Sequence, residues 1–139
     1  MTESNYWSNL RKAIAGRIYA WKINAAYERG VPDWWGSGIH QDLWVENKRV
    51  TNDARQPPVI LDLTDYNKYL NPNQQLWLER RHAEGRHVGV IVFSKVGHLY
   101  LPGLDYQKKI SRLEFIGQAM SMPELAEKMV EICGQLELK

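Results

Sequence analysis

The hydrophobic positions at the start of the chain recur every three or four residues, which is the period of an α-helix. The apolar stripe that results consists of Trp7, Leu10 and Ile14. Thr2 is placed to cap the first turn, and Gly16 stands where a helix would stop. The pattern therefore predicts an amphipathic helix over residues 3–15.

A period of two follows and predicts strands joined by tight turns. The first strand covers residues 17–27, and its more apolar side carries Tyr19, Trp21, Ile23 and Ala25. Short strands over 33–35 and 42–50 come next, with Gly36-Ser37-Gly38 as the turn between them. Three consecutive strands with such short connections are typical of an antiparallel meander.

The second half of the chain alternates helices with strands. A helix over 71–84 is predicted with Asn71 as its N-cap and Pro72 at its first position. Residues 87–94 are almost continuously apolar, which favours a strand in the interior of the sheet, and 96–101 forms the return strand of a hairpin.

The last helix is predicted over residues 121–135, where Ser121 and Glu124 make a capping box. Its expected buried stripe consists of Leu125, Met129, Ile132 and Leu136. Two segments stay open: 59–63 as an edge strand or a packed loop, and 105–116 as a short helix or a connection. The predicted class is mixed α/β, a small central sheet flanked by helices.

Composition narrows the class of protein. With 139 residues, 44% of them hydrophobic and 24% charged, the chain fits one folded, soluble domain. Cys133 is alone, so no internal disulfide is possible, and we expect a reducing cytoplasm, bacterial or of a phage-infected host. The polar N-terminus and the short apolar runs favour neither a secretory signal nor a membrane partner. A formal charge of +2 is only weak evidence for nucleic acid.

Candidate chemistry concentrates between residues 30 and 50. Asp33 follows a rigid Gly-Val-Pro bend, and Glu46 and Lys48 share one face of a strand, about 7 Å apart by strand rise. Two carboxylates, one ammonium and the backbone carbonyl of Asn47 suit magnesium-dependent hydrolysis of a phosphodiester. A Glu-x-Lys pair on a strand is by itself more often a solvated face.

Three motifs in order make the pattern more specific. Gly-Val-Pro-Asp at 30–33, Trp-Val-Glu-Asn-Lys at 44–48 and Asn-Pro-Asn-Gln at 71–74 resemble the PD-(D/E)XK nuclease superfamily, and most closely its VRR-NUC branch. The resemblance implies a restriction-endonuclease-like core over about 3–101, with an extension over about 102–139. It also implies Mg²⁺, or Mn²⁺ as a substitute, held by Asp33, Glu46 and the Asn47 carbonyl, with Lys48 orienting the water.

Further candidates surround these residues. The resemblance implies an acid on the first helix, for which Glu3 is the sole candidate; a charge that suits the helix dipole is the alternative. Gln74 matches the glutamine of the later helix, or else caps that helix together with Asn71. Candidates for phosphate contact are Arg17, Lys22 and Arg49. Trp34, Trp35 and Trp44 either belong to the core or stack on unpaired bases.

The leading functional hypothesis is therefore a metal-dependent endodeoxyribonuclease that prefers branched DNA, in the manner of a Holliday junction resolvase, and acts as a homodimer. A sequence-specific homing or restriction-type endonuclease on the same fold is the nearest alternative. A catalytically inactive nucleic-acid-binding module is an alternative of another class, although Asp33, Glu46 and Lys48 are all present.

Overall fold

A computed structural model describes residues 1–24, 29–50 and 56–137. Its regular elements, in chain order, are α1 (Glu3–Ile14), β1 (Tyr19–Lys22), β2 (Trp34–Ser37), β3 (Asp42–Arg49), β4 (Ile60–Leu61), α2 (Pro72–Ala83), β5 (Val88–Phe93), β6 (Leu99–Pro102), β7 (Ile110–Ser111), α3 (Arg112–Gln118) and α4 (Met122–Cys133). A short 3₁₀ turn over Asp105–Gln107 precedes β7. The predicted mixed α/β class is confirmed.

Five of the strands form one mixed sheet in the order β1-β2-β3-β5-β6. The first three strands pair antiparallel, as the meander prediction required. Strand β5 lies parallel to β3 and antiparallel to β6, so it is an interior strand, and all six of its residues are buried. Parallel neighbours need a crossover connection, and α2 lies on the crossover between β3 and β5.

The sheet is covered on both faces by apolar side chains. One face packs against α1 and α4, and its core includes Leu10, Leu43, Val45 and Met129. The opposite face packs against α2 and the segment that leads into it, with Leu70, Leu78, Val90 and Val92 in its core. The residues of β3 divide between two faces as predicted. Leu43, Val45 and Asn47 face α1 and α4, and Trp44, Glu46 and Lys48 face α2.

Strand β1 is shorter than expected. Gly16 adopts a φ of 76° after α1, and the amides of Arg17 and Ile18 both donate to the carbonyl of Ile14, so the chain is still turning there. The predicted strand over 17–27 is therefore wrong at its start, and its residues 25–27 lie outside the described part. Its apolar side is also not buried: Tyr19 and Trp21 are 65% and 66% exposed.

The β2–β3 connection also differs from its prediction. Gly36 and Ser37 belong to β2 rather than to the turn, because both pair with β1 and β3. A Cβ on Gly36 would meet the ring of Trp34, so only glycine fits there. The turn begins at Gly38, whose amide bonds to the carbonyl of Gln41.

Helix α4 ends earlier than expected because Gly134 takes a φ of 86°. Leu136 is thus not part of the helical stripe and Ile132 is only half-buried; the buried residues are Leu125, Ala126, Met129, Val130 and Cys133. Both open segments contribute to a second, two-stranded sheet of β4 and β7. The division into a core over 3–101 and an extension stays a prediction.

Among the described residues, no helix is both long and apolar enough to span a membrane.

Candidate active site at the end of strand β3

Asp33 stands where strands β2 and β3 part. Trp34, the first residue of β2, still pairs with Val45. Beyond this pair, the Asp33 carboxylate and not the backbone of β2 accepts the next hydrogen bond from β3. Its Oδ2 accepts a hydrogen bond from the amide of Asn47 at 2.7 Å. The N–H and C=O of one strand residue point to the same edge, so the Asn47 carbonyl faces the side on which Asp33 lies.

Glu46 is the buried acid of the group, only 2% exposed. Its Oε1 accepts a hydrogen bond from the Gln74 amide nitrogen at 3.2 Å. Its Oε2 is buried and has no hydrogen-bond partner among the described residues. A buried carboxylate oxygen without a partner is costly, because it has lost water and gained nothing in exchange.

Burial and the negative charge of Asp33 raise the pKa values of two neighbouring acids, Glu46 and Glu3. Burial, followed by the charge of Asp33, raises the pKa of Glu46 well above its usual range, against the opposing effect of Lys48. The pKa of Glu3 is also raised, first by burial and then by the charge of Asp33, while Lys48 and Arg49 lower it. The carboxylates of Glu3, Asp33 and Glu46 lie close together with little access to water, and a bound cation would reduce the repulsion between them.

The donor set fits a hard divalent cation. Magnesium takes oxygen ligands, commonly one or two carboxylates together with waters. Asp33, Glu46 and the Asn47 carbonyl supply three oxygens of that kind, and the unpartnered Oε2 of Glu46 leaves one of them free to bind. In the described part of the chain, no three His, Cys, Asp or Glu side chains are placed together as a metal-binding group.

Glu3 nevertheless lies beside the site. Its Oε2 accepts a hydrogen bond from the amide of Arg49, at 3.2 Å. It also lines a pocket of about 280 Å³ with Ser4, Trp7, Lys22, Asp33 and Asn47. Its membership of the metal site stays a prediction; the contact with Arg49 fixes α1 to the end of β3.

Gln74 performs both of the roles that the sequence left open. Its side-chain oxygen accepts a hydrogen bond from the backbone N–H of Asn71 at 2.9 Å. Its own backbone N–H donates to the side-chain oxygen of Asn71, so the capping box is complete. Its side-chain nitrogen is then directed at Glu46. One residue therefore caps the start of α2 and holds the buried acid.

The absence of a side chain at Gly30 lets the motif at 30–33 pack closely against the motif at 71–74. It has a φ of 82°, and a Cβ at this position would overlap the backbone carbonyl of Asn73. The bend before Asp33 is thus packed directly on the first turn of α2. Sequence reasoning assigned Gly30 only to a turn; its close approach to a segment more than 40 residues away gave no local signal.

The basic candidates divide into two groups. Lys22, opposite Trp34 at the end of β1, lines the pocket beside Asp33, and Lys48 is on the same strand face as Glu46. Arg17 is instead held by Glu127 and Gln135 near the end of α4, and does not line that pocket. The guanidinium of Arg49 donates to the carbonyl of Met1 at 2.9 Å.

The tryptophans also divide. Trp34 is fully buried, packs on Trp7 and donates from its indole nitrogen to the side chain of Asn47. Trp35 and Trp44 lie on the opposite face, only half-buried. A larger cavity, of about 620 Å³, lies elsewhere and is lined by none of the predicted site residues.

Comparison with known proteins adds information on the fold. No protein-family model matches the sequence, and none of the curated proteins matches it either. Among solved structures, the chain is similar to Hjc, a Holliday junction resolvase from the archaeal hyperthermophile Archaeoglobus fulgidus. The two share 16% sequence identity with a TM-score of 0.52, over 91% of this chain and 97% of that one. The fold of this chain is accordingly restriction-endonuclease-like.

Proposed function

We propose that the protein is a metal-dependent endonuclease that hydrolyses DNA phosphodiester bonds. The observation that carries the proposal is the buried Oε2 of Glu46, which has no partner among the described residues and lies beside a second carboxylate, Asp33. Structural acids are normally satisfied by hydrogen bonds, whereas a functional site often leaves such a group free.

Each residue of the site has a role in this proposal. Asp33, Glu46 and the Asn47 carbonyl hold Mg²⁺, with Mn²⁺ as a substitute. When bound, that ion neutralises charge on the phosphate and lowers the pKa of a bound water. Lys48, on the strand face of Glu46, orients the attacking water or binds a phosphate oxygen. Gln74 fixes the orientation of Glu46, and Lys22 contacts a neighbouring phosphate.

The preferred substrate that we propose is branched DNA, cut by a homodimer, because a junction presents two strands for paired cuts. The fold likeness to a Holliday junction resolvase supports this choice. The order of the three motifs supports a place in the PD-(D/E)XK superfamily and its VRR-NUC branch.

The test is a panel of labelled DNAs incubated with Mg²⁺, Mn²⁺ or chelator. It contains a linear duplex, a single strand, a flap and a four-way junction. We expect cutting that chelator abolishes and that is fastest on the branched members. Equal cutting of all members would remove the structural preference, and cutting restricted to one duplex sequence would favour a homing or restriction-type enzyme.

Two variants connect activity to the site. Asp33→Asn and Glu46→Gln keep the shape of each side chain and remove its charge, so we expect both to bind DNA and neither to cut it. DNA binding by the wild type without cutting of any DNA in either metal would favour a binding module that has kept the nuclease fold.

A further inference from the structure

Three tryptophans from consecutive strands stand side by side on the face of the sheet that carries Glu46. Trp21 of β1 is opposite Trp35 of β2, and Trp35 is opposite Trp44 of β3. Directly opposite residues of antiparallel strands project from the same face, with neighbouring side chains in reach of each other. Trp35 and Trp44 have ring centroids 6.2 Å apart, and Trp77 of α2 continues the series 5.6 Å from Trp44. We call these four residues the tryptophan row.

The two ends of the row differ. At the helix end, the Arg81 guanidinium lies 5.6 Å from the Trp77 ring centroid and is paired with Glu84. At the other end, Trp21 stands on the edge strand and is 66% exposed. An indole offers a large flat apolar surface, and leaving most of it in water is unfavourable unless a ligand covers it. The free end of the row is therefore Trp21.

The row lies next to the candidate site. Trp44 is two residues before Glu46 on β3, and Trp35 is two residues after Asp33, about 7 Å in each case by strand rise. Lys22 follows Trp21 on β1 and projects from the opposite face, where it lines the pocket of Asp33 and Glu3. Trp21 itself shares the face of Glu46, so a DNA strand bound along that face beside Glu46 has its next base within reach of the tryptophan row, whose exposed end is Trp21.

We propose that Trp21 stacks on an unpaired base next to the scissile phosphate, and that the tryptophan row selects DNA with unpaired nucleotides over fully paired duplex. Every base has a face that can stack on an aromatic ring, so this contact distinguishes unpaired from paired bases rather than one sequence from another. The inference rests on the proposed nuclease function and narrows its substrate to forks and flaps.

The test measures binding in the presence of chelator, so that it does not depend on cleavage. Fluorescence anisotropy compares a fork with two unpaired arms against a linear duplex of equal length. Trp21→Leu keeps an apolar side chain and removes the ring, while Trp21→Phe keeps a ring. We expect Trp21→Leu to weaken fork binding by about tenfold, to leave duplex binding unchanged, and to be largely restored in Trp21→Phe. Ile39→Ala, which removes an exposed apolar side chain from the β2–β3 turn, is the control and should change neither.

Several results would overturn the proposal. Unchanged fork binding by Trp21→Leu would exclude stacking, and equal loss on fork and duplex would exclude selection of unpaired bases. Sedimentation equilibrium of the same variant provides a further check, since dissociation of a dimer would identify the exposed end as an interface between copies of this chain. A protein that prefers forks through Trp21 but cuts nothing with Mg²⁺ or Mn²⁺ would refute the nuclease function and leave the stacking site standing.

Discussion

The Gln74 side chain donates from its nitrogen to Glu46 at 3.2 Å while its oxygen accepts the amide of Asn71 at 2.9 Å. The start of α2 and the buried acid of the candidate site are thus joined by a single amide group. Because the oxygen is fixed by the cap, the nitrogen has little freedom to turn away from Glu46.

This arrangement predicts that the two functions of Gln74 can be separated. Gln74→Glu keeps an acceptor for the Asn71 amide, since glutamate serves equally in a capping box, but it turns a donor into a second negative charge beside Glu46. We expect the helix cap to be kept, cleavage to fall by at least tenfold, and stability to fall by about 1–3 kcal/mol because Oε1 of Glu46 loses its donor. Gln74→Ala should lose the cap as well, which costs about 1 kcal/mol more.

Chemical denaturation and cleavage rates, measured on the same preparations, distinguish these effects. Asn71→Ser is the matched control, because serine retains the N-cap acceptor and touches no acid. An active Gln74→Glu would show that the contact with Glu46 is incidental.

Glu46→Gln should make the metal-free protein more stable at neutral pH while abolishing cleavage. The raised pKa means that folding disfavours the ionised carboxylate. The neutral amide removes that penalty, for which we expect about 1–2 kcal/mol, or a rise in Tm of about 3–8 °C. Thermal unfolding in chelator measures it.

The pH dependence has a definite sign. Above about pH 4.3 the unfolded chain has released the proton of Glu46, whereas the native protein still binds it. Stability of the metal-free wild type therefore declines as pH rises from there through the raised native pKa of Glu46. The decline should be shallower in Glu46→Gln. Added Mg²⁺ should raise the Tm of the wild type more than that of the variant, and equal shifts would mean that Glu46 does not bind the ion.

Gly30 and Gly85 form a natural pair for a backbone test, since both have a φ of 82°. A Cβ on Gly85 meets nothing within 4 Å, whereas one on Gly30 overlaps the Asn73 carbonyl. Gly85→Ala should cost about 1 kcal/mol, for the positive φ alone, and leave the cleavage rate unchanged. Gly30→Ala should cost more and also slow cleavage, because it separates Asp33 from α2. Equal losses in the two variants would contradict the packing argument.

Lys22 and Arg17 should differ in their effect on DNA binding. Each phosphate contact contributes nearly one unit to the slope of log K against log salt. Lys22→Gln should weaken binding and reduce that slope by about one unit, whereas Arg17→Gln should leave both unchanged because Glu127 and Gln135 hold Arg17 near the end of α4. A loss of slope in Arg17→Gln would mean that DNA extends over the end of α4.

The sequence predicts most of the fold because its signals are local. The helix start at Asn71, the interior position of β5 and the two faces of β3 all follow from caps and periodicity. What it misjudges depends on packing between distant segments. Gly36 pairs with both neighbouring strands and packs under the Trp34 ring instead of forming a turn. Tyr19 and Trp21 are exposed although they form the apolar side of their strand.

The candidate site shows the same division. Motif spacing is enough to group Asp33, Glu46 and Lys48, since two of them share a strand. Motif spacing does not indicate that Gln74 caps α2 and donates to Glu46 at the same time. It also does not indicate that Arg17 pairs with Glu127 of α4. Those outcomes depend on which long side chains meet across the fold, and no spacing rule contains that information.

Asp33 has one further consequence through its bond to the Asn47 amide. The carboxylate takes the place of the next backbone hydrogen bond between β2 and β3, so the strand register and the assembly of the site depend on each other. A shift of β2 by one residue would turn Trp34 out of the core and would also present a neutral side chain, in place of the acid, to the Asn47 amide. Chains paired in that register would not bring Asp33 and Glu46 together, and under the proposed function they would not cut DNA.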